Sequence, residues 1–565
     1  MDFKEEIIEL LTKNCKLKEA ELENLLVTPP DPKMGDYAFP CFRLGKKAKE
    51  EAEKLLEKIK KPDFIKEIKV VGPYLNFFLK PSVFAKETLT AVYKQAANYG
   101  KGKEKSKIVI EYCGPNTNKP LHLGHLRNMS LGIATCKIAD FLGNKIYPVN
   151  IVNDRGIHIC KSMLAYMKWG KNKQPDKKGD HFVGDYYVLF SKKAKDDEDL
   201  VNEAQELLLK WEREDPEVLK LWKQMNSWVL EGFAETYKRF GVSFVKEYFE
   251  SKYYQGGKEL VYEGLKKKVF EKDHTKAIIA KLEKYNLPDK VLLRGDETSI
   301  YITQDMNLAE LRARDFKFNQ MIYVVASEQR LHFQQLFKVL EMLKKPYAKN
   351  LYHLSYGMVH LPSGRMKSRE GTVIDADDLM DEVSSLAAEE IKKRHQKLND
   401  EKVNTRAELI AVGAIKFFMV KTDPVKDIVF DPKESLNFEG ETGPYVQYTH
   451  ARACSILRKA KKDENLEVVN QVSFDQFDLA EEMALLKLLN DFPNIVAKAA
   501  ATYKPHHLAQ YLISLSQAFN EFYHKCPVIS EQIQVMKARL LLVDCVRQVI
   551  ENGLGLLGIS APEEM

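Results

Sequence analysis

The chain has 565 residues, 44% hydrophobic and 30% charged, which is too long for one ordinary domain and is the balance of a globular protein that buries several cores. Its 87 Lys and Arg against 81 Asp and Glu leave a formal charge of +6, which permits a polyanionic partner without demanding one. Eight scattered cysteines contain no C-x-x-C pair, the start Met1-Asp2-Phe3-Lys4-Glu5-Glu6 is not a signal core, and no apolar run reaches spanning length, so a cytoplasmic protein without a structural metal, a disulfide framework or a membrane span is expected.

Residues 1 to about 105 read as a small α/β unit. Helical periodicity fills Phe3–Leu11 and Lys46–Ile59, Lys69–Leu79 alternates like strand and turn, and Tyr99–Lys105 is a Gly- and Lys-rich linker. Lys107–Tyr112 is then a compact β-branched run, followed by a turn-rich loop, a helix over about Leu123–Phe141 stopped at Gly143, and a second apolar strand at Lys145–Val152. Strand, helix and strand in that order open a nucleotide-binding parallel sheet. From about 171 to 290 the chain reads as mostly helical and Lys-rich, an insertion before a later strand, Met321–Ala326, and its helix, His332–Leu343. A strand and a Gly-rich loop follow over Tyr352–Ile374, and from about Ala387 the chain reads as helical throughout. Met536, Leu540, Val543, Val546, Val549 and Ile550 supply the stripe of a bundle.

Two stretches carry chemistry. In Pro120-Leu121-His122-Leu123-Gly124-His125 two histidines flank a glycine at a helix start. Helix-start N–H groups attract an anion, Gly124 permits close approach, and two imidazoles offer hydrogen bonds to charge developing on phosphorus. Far downstream, Gly364-Arg365-Met366-Lys367-Ser368-Arg369-Glu370-Gly371 places flexible cations between glycines, a loop suited to a leaving polyphosphate. Read singly, the first is also compatible with capping histidines and the second with a solvated charged loop.

In this order and at this separation, the two stretches resemble the paired His-x-Gly-His and Lys-Met-Ser-Lys-Ser signatures of class I aminoacyl-tRNA synthetases. Longer strings resemble the arginyl family of that class: Glu111 through Asn128, Gly440-Glu441-Thr442-Gly443-Pro444-Tyr445-Val446-Gln447-Tyr448-Thr449-His450-Ala451-Arg452, Asp31–Ala38, Val71–Phe77, Val152-Asn153-Asp154 and Leu557–Met565. The likeness runs nearly end to end and is least diagnostic over 171–290. A cysteinyl enzyme would want zinc ligands, a small nucleotidyltransferase would need neither flanking domain, and a non-catalytic paralogue would carry broken signatures.

The resemblance implies a Rossmann-type parallel-sheet catalytic domain with a helical insertion (106–385), a small N-terminal α/β domain contacting tRNA (1–105), connecting helices (386–440) and a C-terminal all-α anticodon-binding bundle (441–565). It implies ATP with Mg²⁺, L-arginine and tRNA(Arg) as substrates, tRNA bound before arginine is activated, and a monomer. It places catalysis on Lys119, His122, Gly124, His125, Met366, Lys367, Ser368 and Arg369, the arginine pocket on Glu111, Asn116, Asn118, Tyr301, Asp305 and Gln329, and tRNA contacts on Tyr445, Gln447, Tyr448 and Arg452. A planar guanidinium needs convergent carboxylates, so Asp305 is the expected salt-bridge partner with Tyr301 beside it, while Glu111 approaches from the sheet edge. One departure stands out: Ser368 occupies the position of the loop's second lysine, and Lys119 is expected to supply part of the missing charge.

Overall fold

In the computed structural model the described residues are 3–29, 31–362, 374–464, 472–530 and 532–565. The chain forms two compact units, one comprising residues 1–99, 452–492 and 515–549, the other 100–451, 493–514 and 550–565.

In the first unit, helices α1 (Phe3–Asn14), α2 (Glu19–Leu25), α3 (Ala48–Lys58) and α4 (Pro81–Gln95) accompany strands β1 (Tyr37–Pro40), β2 (Ile65–Val71) and β3 (Tyr74–Leu79). The strands form an antiparallel sheet in the order β1-β3-β2. Phe3, Ile7, Ile8 and Leu11 form the buried stripe of α1, and Phe3 packs on Phe64 and Phe84 with ring centroids 5.9 and 5.4 Å away.

The second unit is built on five strands, β4 (Lys107–Glu111), β5 (Lys145–Val152), β6 (Lys246–Phe249), β10 (Gln320–Ala326) and β11 (Leu351–Tyr356). All pairings are parallel and the order is β11-β10-β4-β5-β6. Numbered within the sheet this is 3-2-1-4-5, a doubly wound order whose direction of winding reverses between β4 and β10; ligands of such sheets bind beyond the strands' carboxyl ends at that point. The run Ile108-Val109-Ile110 is buried on both faces, as a central strand of such a sheet requires. Helix α5 (Leu123–Phe141) crosses from β4 to β5 and is buried nearly all round. Its Arg127, fully buried, donates to the carbonyls of Met358 (2.9 Å), Pro424 (3.0 Å) and Lys426 (2.7 Å), tying the helix to a distant part of the chain.

Between β5 and β6 run α6 (Ile157–Trp169), α7 (Gly179–Lys193), α8 (Asp199–Glu212) and α9 (Pro216–Phe240). The stretch read from sequence as mostly helical is indeed mostly helical, but it also carries short strands that the reading did not foresee. β6 returns to the main sheet, and after α10 (Glu250–Tyr253) and α11 (Lys258–Lys266) come β7 (Glu271–Lys272), β8 (Ile278–Ala280) and β9 (Lys290–Leu293), a small antiparallel sheet. α12 (Tyr301–Phe316) precedes β10 and α13 (Arg330–Met342) joins it to β11. β12 (Val359–His360) pairs in parallel with β13 (Ile428–Val429), a short strand inside the region read as wholly helical. The remaining helices are α14 (Ala376–Arg394), α15 (Asp400–Val420), α16 (Pro432–Ser435), α17 (Gly443–Glu464), α18 (Ala480–Thr502), α19 (His506–Lys525) and α20 (Ile533–Leu556). Among the described residues no helix is long and apolar enough to cross a membrane.

Candidate active site

The carboxyl ends of β4 and β10 open on a cavity of about 530 Å³. Its walls bring together Glu111 from β4, Tyr301 and Asp305 from the first turns of α12, and Gln329 from the turn after β10. Residues as far apart in sequence as Glu111 and Gln329 therefore meet at the sheet's switch point. Tyr301 lines the cavity and is 78% exposed.

Three further side chains define the cavity's charge, none of them singled out by sequence. Arg312, 1% exposed, forms an ion pair with Glu111 and lies over the rings of Tyr248 and Tyr323, at 5.2 and 5.6 Å. Burial raises the pKa of the Glu111 carboxyl, while Arg312 pulls the other way. His332 Nε2 lies 2.6 Å from Asp305 Oδ2. Glu250, at the end of β6, lines the same space; burial lifts its carboxyl to about 7, against the pull of Arg155 at 3.9 Å. Arg312 was open to detection, since it lies seven residues beyond Asp305 and so two turns along the same helix face. Glu250 was not, because its strand was missed.

The signature histidines start α5. His122 is the N-cap: its Nδ1 accepts the Gly124 N–H at 3.1 Å, and its own N–H donates to His125 Nδ1 at 3.0 Å. The rings are 4.0 Å apart between centroids. Burial, reinforced by Lys119, pushes His122 down to about 3; burial, then His122 and Lys119, holds His125 well below its ordinary value. Both imidazoles are therefore neutral at neutral pH. With each Nδ1 accepting a backbone hydrogen bond, the ring proton of each sits on Nε2, leaving two N–H donors for a ligand. Gly124 is required for a reason beyond ligand approach: a Cβ there would lie 3.0 Å from His122 Cε1 and 3.1 Å from its Nδ1, pressing on the cap.

The loop between strand and helix is held from below. Asn128 Oδ1 accepts the Cys113 N–H at 2.6 Å, and Asn150 Oδ1 that of Gly114 at 3.0 Å. Asn116 is exposed and bridges in parallel to Asn153, which itself lines the cavity; Asn116 does not line it. Asn118 is buried, with an Oδ1 that has no hydrogen-bond partner among the described residues. Lys119 is partly buried, which lowers its pKa, with Asp375 opposing. Met366, Lys367, Ser368 and Arg369 lie outside the described residues.

Of the expected tRNA contacts, Gln447 needs correction. It is fully buried and its Nε2 donates to the Ser560 carbonyl at 2.9 Å, so it presents nothing to a macromolecule. It belongs instead to a set of anchors for the chain's last residues: Lys416 Nζ donates to the Gly558 carbonyl (2.7 Å) and His450 Nδ1 to that of Pro562 (2.9 Å). Tyr445 and Tyr448 are partly exposed on α17. Arg452 Nη1 donates to Asn520 Oδ1 at 2.5 Å, with its guanidinium 5.6 Å from the Tyr523 ring centroid.

Residues 88–432 match the family model described as tRNA synthetases class I (R), catalytic domain. Residues 1–79 match the arginyl tRNA synthetase N-terminal domain and 446–565 the DALR anticodon binding domain. The switch-point cavity and the His122–His125 helix start are thus those of a class I aminoacyl-tRNA synthetase, which uses ATP. The chain is similar to an arginine--tRNA ligase of Treponema denticola (46% identical, covering 95% of this chain and 94% of that protein) and one of Treponema pallidum (43%, 95% and 94%). Its structure is similar to the Thermus thermophilus arginyl-tRNA synthetase, with a TM-score of 0.83 at 27% identity over 100% of this chain and 99% of the other. A Plasmodium falciparum arginyl-tRNA synthetase, at 20% identity and a TM-score of 0.79 over 100% and 99%, shares the fold. Within its class, the chain belongs to the arginyl-tRNA synthetase family, the arginine--tRNA ligases.

Proposed function

We propose that the cavity binds L-arginine and that the His122–His125 helix start binds the phosphates of MgATP, so that arginine is activated here and then esterified to the 3′-terminal adenosine of tRNA(Arg). The observation that carries this reading is the convergence of Glu111, Glu250 and Asp305 on one cavity at the sheet's switch point. Arg312 already meets the charge of Glu111, so Asp305 and Glu250 take the guanidinium, with Tyr301 at the mouth, and Glu111 and Gln329 border the α-ammonium end. Asn116 and Asn118, in the loop leading to the helix, border the carboxylate and the nucleotide. The arginine carboxylate attacks the α-phosphorus, the bond from that phosphorus to the bridging oxygen breaks, and pyrophosphate leaves. The Nε2–H groups of His122 and His125 donate to the phosphate oxygens as charge develops, neutral and fixed in tautomer before the reaction starts. Lys119, with Lys367 and Arg369 of the loop that also holds Met366 and Ser368, meets the departing pyrophosphate. In the second step a hydroxyl of the terminal adenosine attacks the arginyl carbonyl and AMP leaves.

By family likeness, residues 1–105 and the bundle 441–565, reached through the connecting helices 386–440, hold the tRNA, with Tyr445, Tyr448 and Arg452 on the bundle's first helix. The enzyme works as a cytoplasmic monomer. Exchange of labelled pyrophosphate into ATP, run with tRNA present, tests the reading. Arginine is expected to support it, with a KM that climbs as the pH falls through about 7, where Glu250 takes up its proton and loses its charge. In Glu250→Gln that climb disappears. Exchange supported equally well by citrulline, the neutral isostere, contradicts the reading, because a neutral side chain brings no cation to Asp305 and Glu250.

A further inference from the structure

Helix α7, from the stretch with the weakest family signal, grips the His122–His125 signature at two points. At the first, Gly184 packs on the loop before His122: a Cβ there would lie 2.8 Å from Pro120 Cδ and 3.6 Å from Lys119 Cα. At the second, α7 and the residue preceding it hold the start of α14. Lys178 Nζ lies 2.9 Å from Asp180 Oδ2, 2.7 Å from Asp377 Oδ2 and 2.6 Å from Thr236 Oγ1. His181 spans two carboxylates, its Nε2 3.3 Å from Asp377 Oδ2 and its Nδ1 3.5 Å from Asp375 Oδ2.

The residues so held lie against the signature. Asp375 bridges antiparallel to His122, the Ala376 N–H donates to the Leu121 carbonyl (2.9 Å), and the Leu123 N–H donates to that of Ile374 (3.3 Å). Ile374–Ala376 is therefore a short strap along the residues that carry the N-cap histidine. Asp180, His181 and Asp377 are also near enough together for a divalent ion, but the Lys178 ammonium already satisfies two of the three with its own donors.

We propose that His181 is a positioning residue for arginine activation: as an imidazolium joining Asp375 to Asp377 it fixes the 374–376 strap against Leu121–Leu123 and thereby sets the placement of His122. The inference rests on the activity proposed above. Its charge surroundings favour the imidazolium. Lys178 and Asp180 face it from the start of α7, Asp375 and Asp377 from the start of α14, with Asp378 acting on Asp375, and Arg239 reaches the site from α9 already paired to Glu408 and Asp381. Lys119 faces the far side of Asp375. The hydrogen bond to Asp377, opposed by burial and aided by Asp180 and Asp375, raises the His181 pKa above its ordinary value. The brace is complete between about 6, below which the burial-raised Asp375 carboxyl takes up its proton, and the raised His181 value, and is lost as the pH rises through the latter.

The full-length protein is compared with His181→Gln, which can hydrogen-bond without charge, and His181→Lys, which keeps its charge to higher pH. In pyrophosphate exchange with tRNA present, the wild type is expected to show an alkaline fall in kcat that is absent in His181→Gln and moved upward in His181→Lys. At neutral pH, His181→Gln should lose about tenfold in kcat with its KM for arginine within about twofold of wild type, because the arginine cavity is built from other residues. Independently of activity, the imidazole ¹⁵N resonances of His122 and His125 in the ligand-free protein are expected to move in His181→Gln. Unchanged resonances, or a His181→Gln enzyme with wild-type kcat and the same alkaline fall, overturn the inference. A wild type whose exchange ignores arginine overturns the functional reading instead, and the resonances still decide the role of His181.

Discussion

Lys119 stands between a buried asparagine and the proline that leads into the signature, partly buried, with Asp375 as its opposing charge. Its positive charge helps keep His122 and His125 neutral and adds a cation beside two neutral donors. By resemblance Ser368 stands where the family's phosphate loop has a second lysine, and the proposed function gives Lys119 part of that charge. Lys119→Ala should lower arginine-dependent exchange at least tenfold, about 1.4 kcal/mol of transition-state stabilisation. Activity within about threefold of wild type removes it from that role. At this scale His122, Gly124, His125 and Lys119 are read from one short string, and the structure gathers them at one helix start. The sequence was a poor guide to Glu250 and His332, whose significance lies in proximity to Asp305 across the fold. It also misled at Gln447, whose polar side chain in a motif suggested a ligand and in fact anchors the Ser560 carbonyl.

The crossover β4–α5–β5 was legible nearly residue by residue, because a β-branched run, a capped helix and a glycine stop are local signals. β6 was not: four residues, Lys-Glu-Tyr-Phe, are too short and too polar to show a period, and only pairing with β5 makes them a strand. The same holds for the two- to four-residue strands β7–β9. The placement of α7 against the signature depends on a close approach at Gly184 that no periodicity announces. α5 is fixed by its Arg127, whose buried guanidinium serves three carbonyls, one of them in a buried hydrogen bond and two in partly buried ones. Replacing Arg127 by Met keeps the volume and removes every donor. The unfolding free energy of the catalytic unit should fall by roughly 2 kcal/mol, since a fully buried orphaned acceptor costs of the order of 1 kcal/mol or more and a partly buried one less. A loss under about 0.5 kcal/mol in urea unfolding would show that the clamp contributes little.

Taken as a molecule, the chain separates its tasks. The doubly wound sheet supplies a switch point where β4, β6 and β10 deliver Glu111, Glu250 and the Gln329 turn to one cavity, while the first crossover helix presents two neutral imidazole donors at its start. In the proposed function specificity is electrostatic: of three carboxylates at the cavity, Glu111 is paired with the cation Arg312, while Asp305, beside His332, and Glu250, with Arg155 3.9 Å away, are proposed to receive the guanidinium. That is the account's central claim, and aminoacylation of total tRNA with each of the twenty radiolabelled amino acids tests it most directly. The account predicts ATP-dependent charging with arginine alone. Charging with any other amino acid, or none with arginine, contradicts it.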